Sequence, residues 1–324
     1  MPRVVITRET PGEYAVPGAE IIIGPDEGYL DQQKLRAFVA SHAPVTALVT
    51  MYHDQVNDEL LDAAGPALRA VCNFAVGHDN IDLEACARRN VMVTNTPDAV
   101  TEGTADMAWA LLLAAARRIP EADRYARSPD YPARGQLGMS DLLGLDIAGR
   151  TLLIVGAGRI GYAVALRSLG WGMRILYVAR TRHHDFEFAP LNAHKVELDE
   201  GLAEADYISI HTPLTKETRR LIDARRLRLM KPRAILINTA RGPIIDEKAL
   251  VEALREHRIR AAGLDVYENE PTLTPGLADL PNVVLSPHIG SGGERYREMM
   301  AAIVVDNLRA VVEGTRPPNL VDTE

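Results

Sequence analysis

Two residue groups in the 324-residue chain have the types and spacing that dinucleotide chemistry needs. The first is Gly156-Ala157-Gly158-Arg159-Ile160-Gly161, which follows an apolar run at 151–155 and precedes a helically spaced segment at 162–169. In that context the first glycine allows a tight turn and the second lets backbone approach a pyrophosphate. The third lets strand and helix pack closely, and the helix start offers unpaired N–H donors to the anion. A dinucleotide cofactor is implied. The second group is Arg180-Thr181-Arg182, after the next apolar run, where an NAD site would carry Asp or Glu for the ribose 2′-hydroxyl. Two guanidinium groups and a hydroxyl would instead bind a 2′-phosphate, so NADP(H) is favoured over NAD(H). The alternative is a solvated basic turn at Arg180 and Arg182, with Asp185 or Glu187 reaching back to the ribose.

In an open α/β sheet, ligands lie outside the carboxyl ends of the strands, so polar residues directly after each predicted strand are candidates. These are Gly156, Arg180, His211-Thr212-Pro213, Asn238-Thr239-Ala240-Arg241-Gly242, Asp265 and Ser286-Pro287-His288-Ile289-Gly290, with Glu268 and Glu270 in the loop after Asp265. Hydride from a nicotinamide needs a carbonyl acceptor with one proton donor and one cation beside it. His288 suits the donor, because an unperturbed imidazole gives and takes a proton near neutrality. Glu270 is placed to bond its other ring nitrogen, favouring the protonated ring and holding it in position. Arg241 can clamp a substrate carboxylate and polarise the adjacent keto oxygen. A 2-oxo or 2-hydroxy acid is the implied substrate. His211 is the rival proton donor, and Arg241 could instead serve as a structural ion-pair partner of Glu270.

The elements that must position these groups read as two alternating blocks. Strand-like runs at 3–7, 19–23, 45–50, 68–73 and 91–94 are separated in several places by helical spacing at 31–41, 57–64 and 82–89, where Asp82 reads as a helix cap. A helix over 101–119 follows, with Glu102 early, Arg117 and Arg118 in its last turn, and Pro120 as its stop. The stretch 128–145 has no period and reads as a loop or hinge. A second block has strands at 151–155, 174–178, 207–211, 234–238, 261–264 and 283–286, and 293–313 reads as one long helix returning to the first domain. The expected fold is α/β, with two Rossmann-like or flavodoxin-like domains built on parallel sheets and a cleft between them. Residues 1–100 plus 290–324 form the expected substrate domain and 101–289 the dinucleotide domain.

Composition narrows the function. Lys plus Arg number 36 against 44 Asp plus Glu, a net charge of −8 without the basic stripe of a nucleic-acid or anionic-membrane binder. Cys72 and Cys86 form no CxxC pair, so neither a disulfide framework nor a thiolate metal site is expected, and both read as buried thiols. Trp109 reads as core or subunit contact. The longest apolar stretch, 107–116, is about half a membrane span, and the N-terminus has no signal-like apolar region. A cytoplasmic protein with no metal is expected.

Several motifs then carry a resemblance. They are Val76-Gly77-His78-Asp79-Asn80-Ile81-Asp82, Thr104-Ala105-Asp106, the glycine loop, His211-Thr212-Pro213-Leu214-Thr215 and Ile237-Asn238-Thr239-Ala240-Arg241-Gly242. Gly263-Leu264-Asp265-Val266-Tyr267-Glu268-Asn269-Glu270-Pro271 and Ser286-Pro287-His288-Ile289-Gly290 complete the set. Together they span nearly the whole chain, which resembles the D-isomer-specific 2-hydroxyacid dehydrogenase family, particularly its glyoxylate and hydroxypyruvate reductase branch. The resemblance implies Arg241, Glu270 and His288 as catalytic trio, with His288 the acid/base, Glu270 its partner and Arg241 the substrate anchor. It implies that Asp265 faces the nicotinamide amide and that Thr104, Thr212, Pro213, Thr218, Thr239, Ala240, Gly290 and Ser291 line the cofactor. On the substrate side it implies Met51, Tyr52 and the backbone of Val76 and Gly77. A discontinuous first domain, a closing cleft and a homodimer are also implied. The chain departs from the pattern at His78, where relatives often carry tyrosine, at Tyr52 or His53, near which a small serine is common, and at Leu137 and Met139, where many carry a loop tryptophan. Relatives that act as dinucleotide-sensing corepressors, and phosphite-type or formate-type dehydrogenases, are the alternative functions.

Overall fold

A computed structural model of the chain describes residues 1–25 and 30–321. Of the expected first domain, 26–29 and 322–324 lie outside the described residues. The chain divides into two compact units, Met1–Val100 with Ser291–Glu324 and Thr101–Gly290.

The first unit begins with β1 (Arg3–Ile6), β2 (Glu20–Ile23), α1 (Gln32–Ser41), β3 (Ala47–Met51), α2 (Asp58–Ala64), β4 (Ala70–Phe74), α3 (Leu83–Arg88) and β5 (Met92–Thr94). Its strands are all parallel, in the order β2-β1-β3-β4-β5, a flavodoxin-like arrangement. Helices cover both faces, which is why these strands read as near-continuous apolar runs. Along β3, Ala47, Val49 and Met51 enter one core and Leu48 enters the other. Side-chain caps open the helices: Asp31, Asn57 and Asp82 accept the amides of Lys34, Leu60 and Ala85. The long helix Glu294–Glu313 joins this unit by laying Met300, Val304, Leu308 and Val311 on the core against β3 and β4.

The second unit contains α4 (Thr101–Ala116), α5 (Ile119–Arg127), α6 (Asp130–Arg134), β6 (Thr151–Val155), α7 (Arg159–Arg167), β7 (Arg174–Val178), α8 (His184–Glu187) and β8 (His194–Lys195). It continues with α9 (Leu198–Glu204), β9 (Tyr207–Ile210), α10 (Ala224–Leu229), β10 (Ile235–Asn238), α11 (Glu247–Arg255), β11 (Ala261–Leu264) and β12 (Val283–Leu285). The strands are parallel in the order β12-β11-β10-β9-β6-β7-β8. Winding reverses at β6 and β9, the switch point of a doubly wound dinucleotide sheet, beyond whose carboxyl edge ligands bind. Both faces are again buried, with Leu152 and Ile154 of β6 in one core and Leu153 and Val155 in the other. Among the described residues no helix is long and apolar enough to cross a membrane.

The structure corrects four expectations. The sheet has seven strands rather than six, because the two-residue β8 is too short to show a period. Pro120 does not stop the 101–119 helix. That helix ends at Ala116, Arg118 takes a left-handed φ of 55°, and Pro120 sits in the first turn of α5, where a missing N–H breaks no hydrogen bond. The 128–145 stretch contains α6 and is not wholly irregular. Gly290 belongs to the second unit, since its amide donates to Asp265 at 2.7 Å.

Candidate active site

The glycine loop occupies the carboxyl end of β6. Gly156 has φ +107°, and a Cβ there would lie 2.7 Å from the backbone of His211 and Thr212, so the turn tolerates only glycine. A Cβ on Gly161 would come within 2.2 Å of the Gly156 carbonyl oxygen, which sets how closely α7 packs on β6. Gly158, the N-cap of α7, has nothing within 4 Å of the corresponding position. A side chain would fill that cradle, whereas a pyrophosphate can enter it and meet the amides of the α7 first turn, where Arg159 is exposed and Ile160 half-buried. At the end of β10 the Thr239 hydroxyl is buried and makes no hydrogen bond. A buried polar atom of that kind fits a ligand that completes its bonding. The residues present thus suit a dinucleotide.

The other predicted cofactor residues have varied placements and roles. Thr218 staples the 211–218 loop, its hydroxyl donating to the Pro213 carbonyl at 2.6 Å and accepting the Thr215 amide at 2.7 Å. Thr104 on α4 lies beside Gly290, its Cγ2 3.6 Å and its Oγ1 3.7 Å from where a Cβ of that glycine would stand. Ser291 opens the returning segment of the other unit. His211 bonds Ser209 Oγ through Nε2 at 2.8 Å, and burial drives its imidazole down to about 3. Burial thus favours the neutral ring, and Nε2 is engaged by Ser209. A base depressed in the folded state makes stability fall as pH drops from its unfolded value of about 6.5 toward about 3. His211→Gln should therefore gain melting temperature relative to wild type as pH falls from about 6.5 to about 4.5, with no relative gain above about pH 7.

The turn after β7 is only partly as expected. Arg180 is exposed and its charge acts on Glu217. Thr181 is exposed beside it. Arg182 forms an exposed ion pair, its Nε and Nη2 forking the Glu187 carboxylate at 2.8–3.0 Å. Tyr177 Oη donates to the same carboxylate at 2.7 Å. The Arg182 pairing and then the Tyr177 bond hold Glu187 down at about 2. Glu187 is thus engaged by Arg182 and Tyr177.

At the other end of the sheet the three acid–base candidates come together in one unit. His288 follows β12 with a left-handed φ of 55°, its amide donating to the Asp265 carbonyl at 2.8 Å. Its Nδ1 lies 2.7 Å from Glu270 Oε2. Glu270 Oε1 accepts the Tyr267 amide at 2.9 Å, and Tyr267 Oη donates to the Ser286 carbonyl at 2.7 Å, so the two loops are joined twice. Asp265 is 1 % exposed and gathers the His288 turn, accepting Ser286 Oγ at 2.6 Å and the amides of Ile289 and Gly290 at 2.9 and 2.7 Å. Burial raises its carboxyl above the ordinary range despite those donors. Three of its acceptor positions are used inside the loop, which makes it the anchor of His288 whatever else it contacts. Arg241 leaves β10 in extended conformation, with Asn238 Nδ2 donating to its carbonyl at 2.9 Å and its own Nη1 donating to the Ala240 carbonyl at 2.8 Å. The next residue explains its proximity to the Glu270 loop. A Cβ on Gly242 would stand 1.8 Å from the Tyr267 carbonyl carbon, so only glycine lets the backbones meet.

In the first unit, two buried asparagines that the sequence does not single out fix the loops after β3 and β4. Asn80 Nδ2 donates to the carbonyls of Met51 and Asp54 at 3.1 and 2.9 Å, and Asn73 Nδ2 donates to the Gly77 carbonyl at 2.8 Å. Asn73, fully buried in an otherwise apolar strand, is the signal that was available. The Val76 carbonyl accepts Asn95 Nδ2 at 2.8 Å. The amides of Val76 and Gly77 donate to no acceptor among the described residues. Met51 is a correction: its side chain is 5 % exposed and lies in the core, so only its backbone lines the loop. Tyr52 packs edge-on to His53.

Comparison with known proteins identifies the family. The sequence profile of the D-isomer specific 2-hydroxyacid dehydrogenase NAD binding domain matches residues 109–290. A glyoxylate reductase of Thermococcus onnurineus is 48 % identical over 100 % of this chain and 96 % of its own. Among solved structures, a protein of Thermus thermophilus superposes with TM-score 0.89 at 45 % identity, covering 99 % of this chain and 100 % of that one. An NADPH-dependent glyoxylate/hydroxypyruvate reductase of Sinorhizobium meliloti, solved with NADP and malonate, superposes with TM-score 0.80 at 33 % identity over 99 % and 96 % of the two chains. The chain belongs to the D-isomer specific 2-hydroxyacid dehydrogenase family and is a nicotinamide-dinucleotide-dependent oxidoreductase acting on CH–OH donors.

Proposed function

We propose that this chain reduces glyoxylate, and hydroxypyruvate as a second substrate, with NADPH preferred over NADH. The observation that carries the reading is the 2.7 Å contact between His288 Nδ1 and Glu270 on the sheet edge that also bears Arg241. With Nδ1 assigned to Glu270, proton exchange with the substrate C2 oxygen falls to Nε2. A reduced nicotinamide, when bound, supplies the hydride. Arg241 holds the substrate carboxylate and opposes the charge that grows on the C2 oxygen. The glycine loop, the α7 start and Thr239 hold the cofactor. The similarity to enzymes called glyoxylate reductase supports the small substrate. Exposed apolar side chains at Tyr131, Leu137, Met139 and Leu143 support a homodimer formed through the 128–145 segment.

NADPH preference is tested first at Arg180, which is exposed and has no carboxylate partner as close as that of Arg182, whose own exposed ion pair to Glu187 is weak and can be exchanged for a phosphate. One charge-assisted contact to a 2′-phosphate contributes roughly tenfold to a hundredfold in kcat/KM. Arg180→Asp should remove that contact, repel the phosphate and invert the preference. The test compares kcat/KM for NADPH and NADH with glyoxylate in both proteins. A variant that keeps the wild-type ratio would move 2′-phosphate recognition away from Arg180, and a wild type preferring NADH would overturn it.

A further inference from the structure

The loop carrying Glu270 is fixed by a carboxylate that has no part in the chemistry above. Glu247 is the first residue of α11, behind the Asp246 cap, yet it is 1 % exposed. Its Oε1 accepts the Glu268 amide at 2.7 Å and its Oε2 accepts the Thr274 hydroxyl at 2.6 Å. The two donors bracket Glu270 along the chain. Between them the Thr272 amide donates to the Asn269 carbonyl at 2.8 Å, closing the turn that presents the Glu270 carboxylate.

Helix chemistry alone does not account for this placement. An acidic residue in a first turn serves the helix dipole from an exposed position, whereas an ionised carboxylate held by two neutral donors out of water is unfavourable. Burial pushes the Glu247 carboxyl up, and the Glu268 and Glu270 charges push in the same direction. Retention of the group against that cost points to its geometry as the reason.

We propose that Glu247 is a positioning residue for Glu270, a two-pronged brace that ties both ends of the loop and so holds the Glu270 carboxylate against His288 Nδ1. The proposal rests on the roles assigned to Glu270 and His288 under Proposed function. Glu247→Ala releases both prongs and should lower kcat with glyoxylate and NADPH by about tenfold to a hundredfold, the effect of an ångström-scale misplacement. NADPH affinity, set at the glycine loop, should stay within about twofold on the same argument. Glu247→Gln can accept the Glu268 amide and donate to the Thr274 hydroxyl, and should recover most of the loss. Thr274→Val, which keeps side-chain volume and removes one prong, should fall between and serves if the alanine variant does not fold.

Three results would overturn the brace: folded Glu247→Ala or Thr274→Val with wild-type kcat, Glu247→Gln as impaired as Glu247→Ala, or kcat and NADPH affinity falling together. Glu270→Gln measured alongside separates the two levels. If it retains wild-type kcat, the parent reading fails. If it is impaired while the Glu247 and Thr274 variants are not, only the brace fails.

Discussion

Arg241→Ala should lower kcat/KM for glyoxylate by roughly a hundredfold to a thousandfold, the range seen when one preorganised donor to a developing oxyanion is removed. The guanidinium is asked to do two things, and the kinetics should show both. Loss of its grip on the substrate carboxylate raises KM, and loss of its stabilisation of the C2 oxygen lowers kcat. Its backbone is set independently by the Asn238 amide at 2.9 Å and by the contact of Gly242 with Tyr267, so removing the side chain leaves the loops in place. NADPH affinity should therefore hold, as measured by fluorescence titration. Arg241→Lys should recover only part of the loss, because an ammonium is a point charge and cannot fork a carboxylate. Equal impairment of NADPH binding and turnover would instead make Arg241 a structural residue.

His288→Ala should reduce kcat by roughly a hundredfold to ten-thousandfold, the contribution of a positioned general acid. The backbone at this position complicates the variant, since φ is 55° and a left-handed conformation disfavours most side chains. His288→Asn controls for it, because asparagine adopts that conformation readily and carries no titratable ring. Both variants should be impaired alike with cofactor binding intact. If His288→Asn retained wild-type turnover while His288→Ala did not, the residue would matter for the turn and not for the proton.

Much of this site is legible in the sequence for a physical reason. Gly156 and Gly161 are demanded by turn geometry and close approach, and Gly158 leaves open the cradle a pyrophosphate would enter, so residue type and spacing are fixed together. Arg241 and His288 follow strand ends of a parallel sheet, where polar residues after apolar runs stand out, and Glu270 follows in the loop after β11. What escapes the sequence is which polar group faces which. Arg182 reads as a phosphate ligand, and the sequence does not show that Glu187, five residues on, pairs with it. Glu247 reads as an ordinary acidic first-turn residue, because helix periodicity does not say that its carboxylate turns inward toward Glu268 and Thr274. Asp265 reads as a ligand contact, while its three donors show that it shapes the His288 turn. The helix over Ile119–Arg127 escapes for the opposite reason: a proline at a helix start and a proline ending the preceding helix carry the same residue, and only the left-handed Arg118 tells them apart.

Isotope transfer tests hydride delivery to C2 of a small 2-oxo acid most directly. NADPH deuterated at both C4 positions should yield glycolate from glyoxylate with one deuterium at C2 per molecule, in one-to-one amount with the cofactor oxidised. Cofactor oxidation without labelled glycolate, or no oxidation of NADPH or NADH with any small 2-oxo acid while the dinucleotide still binds, would contradict the account.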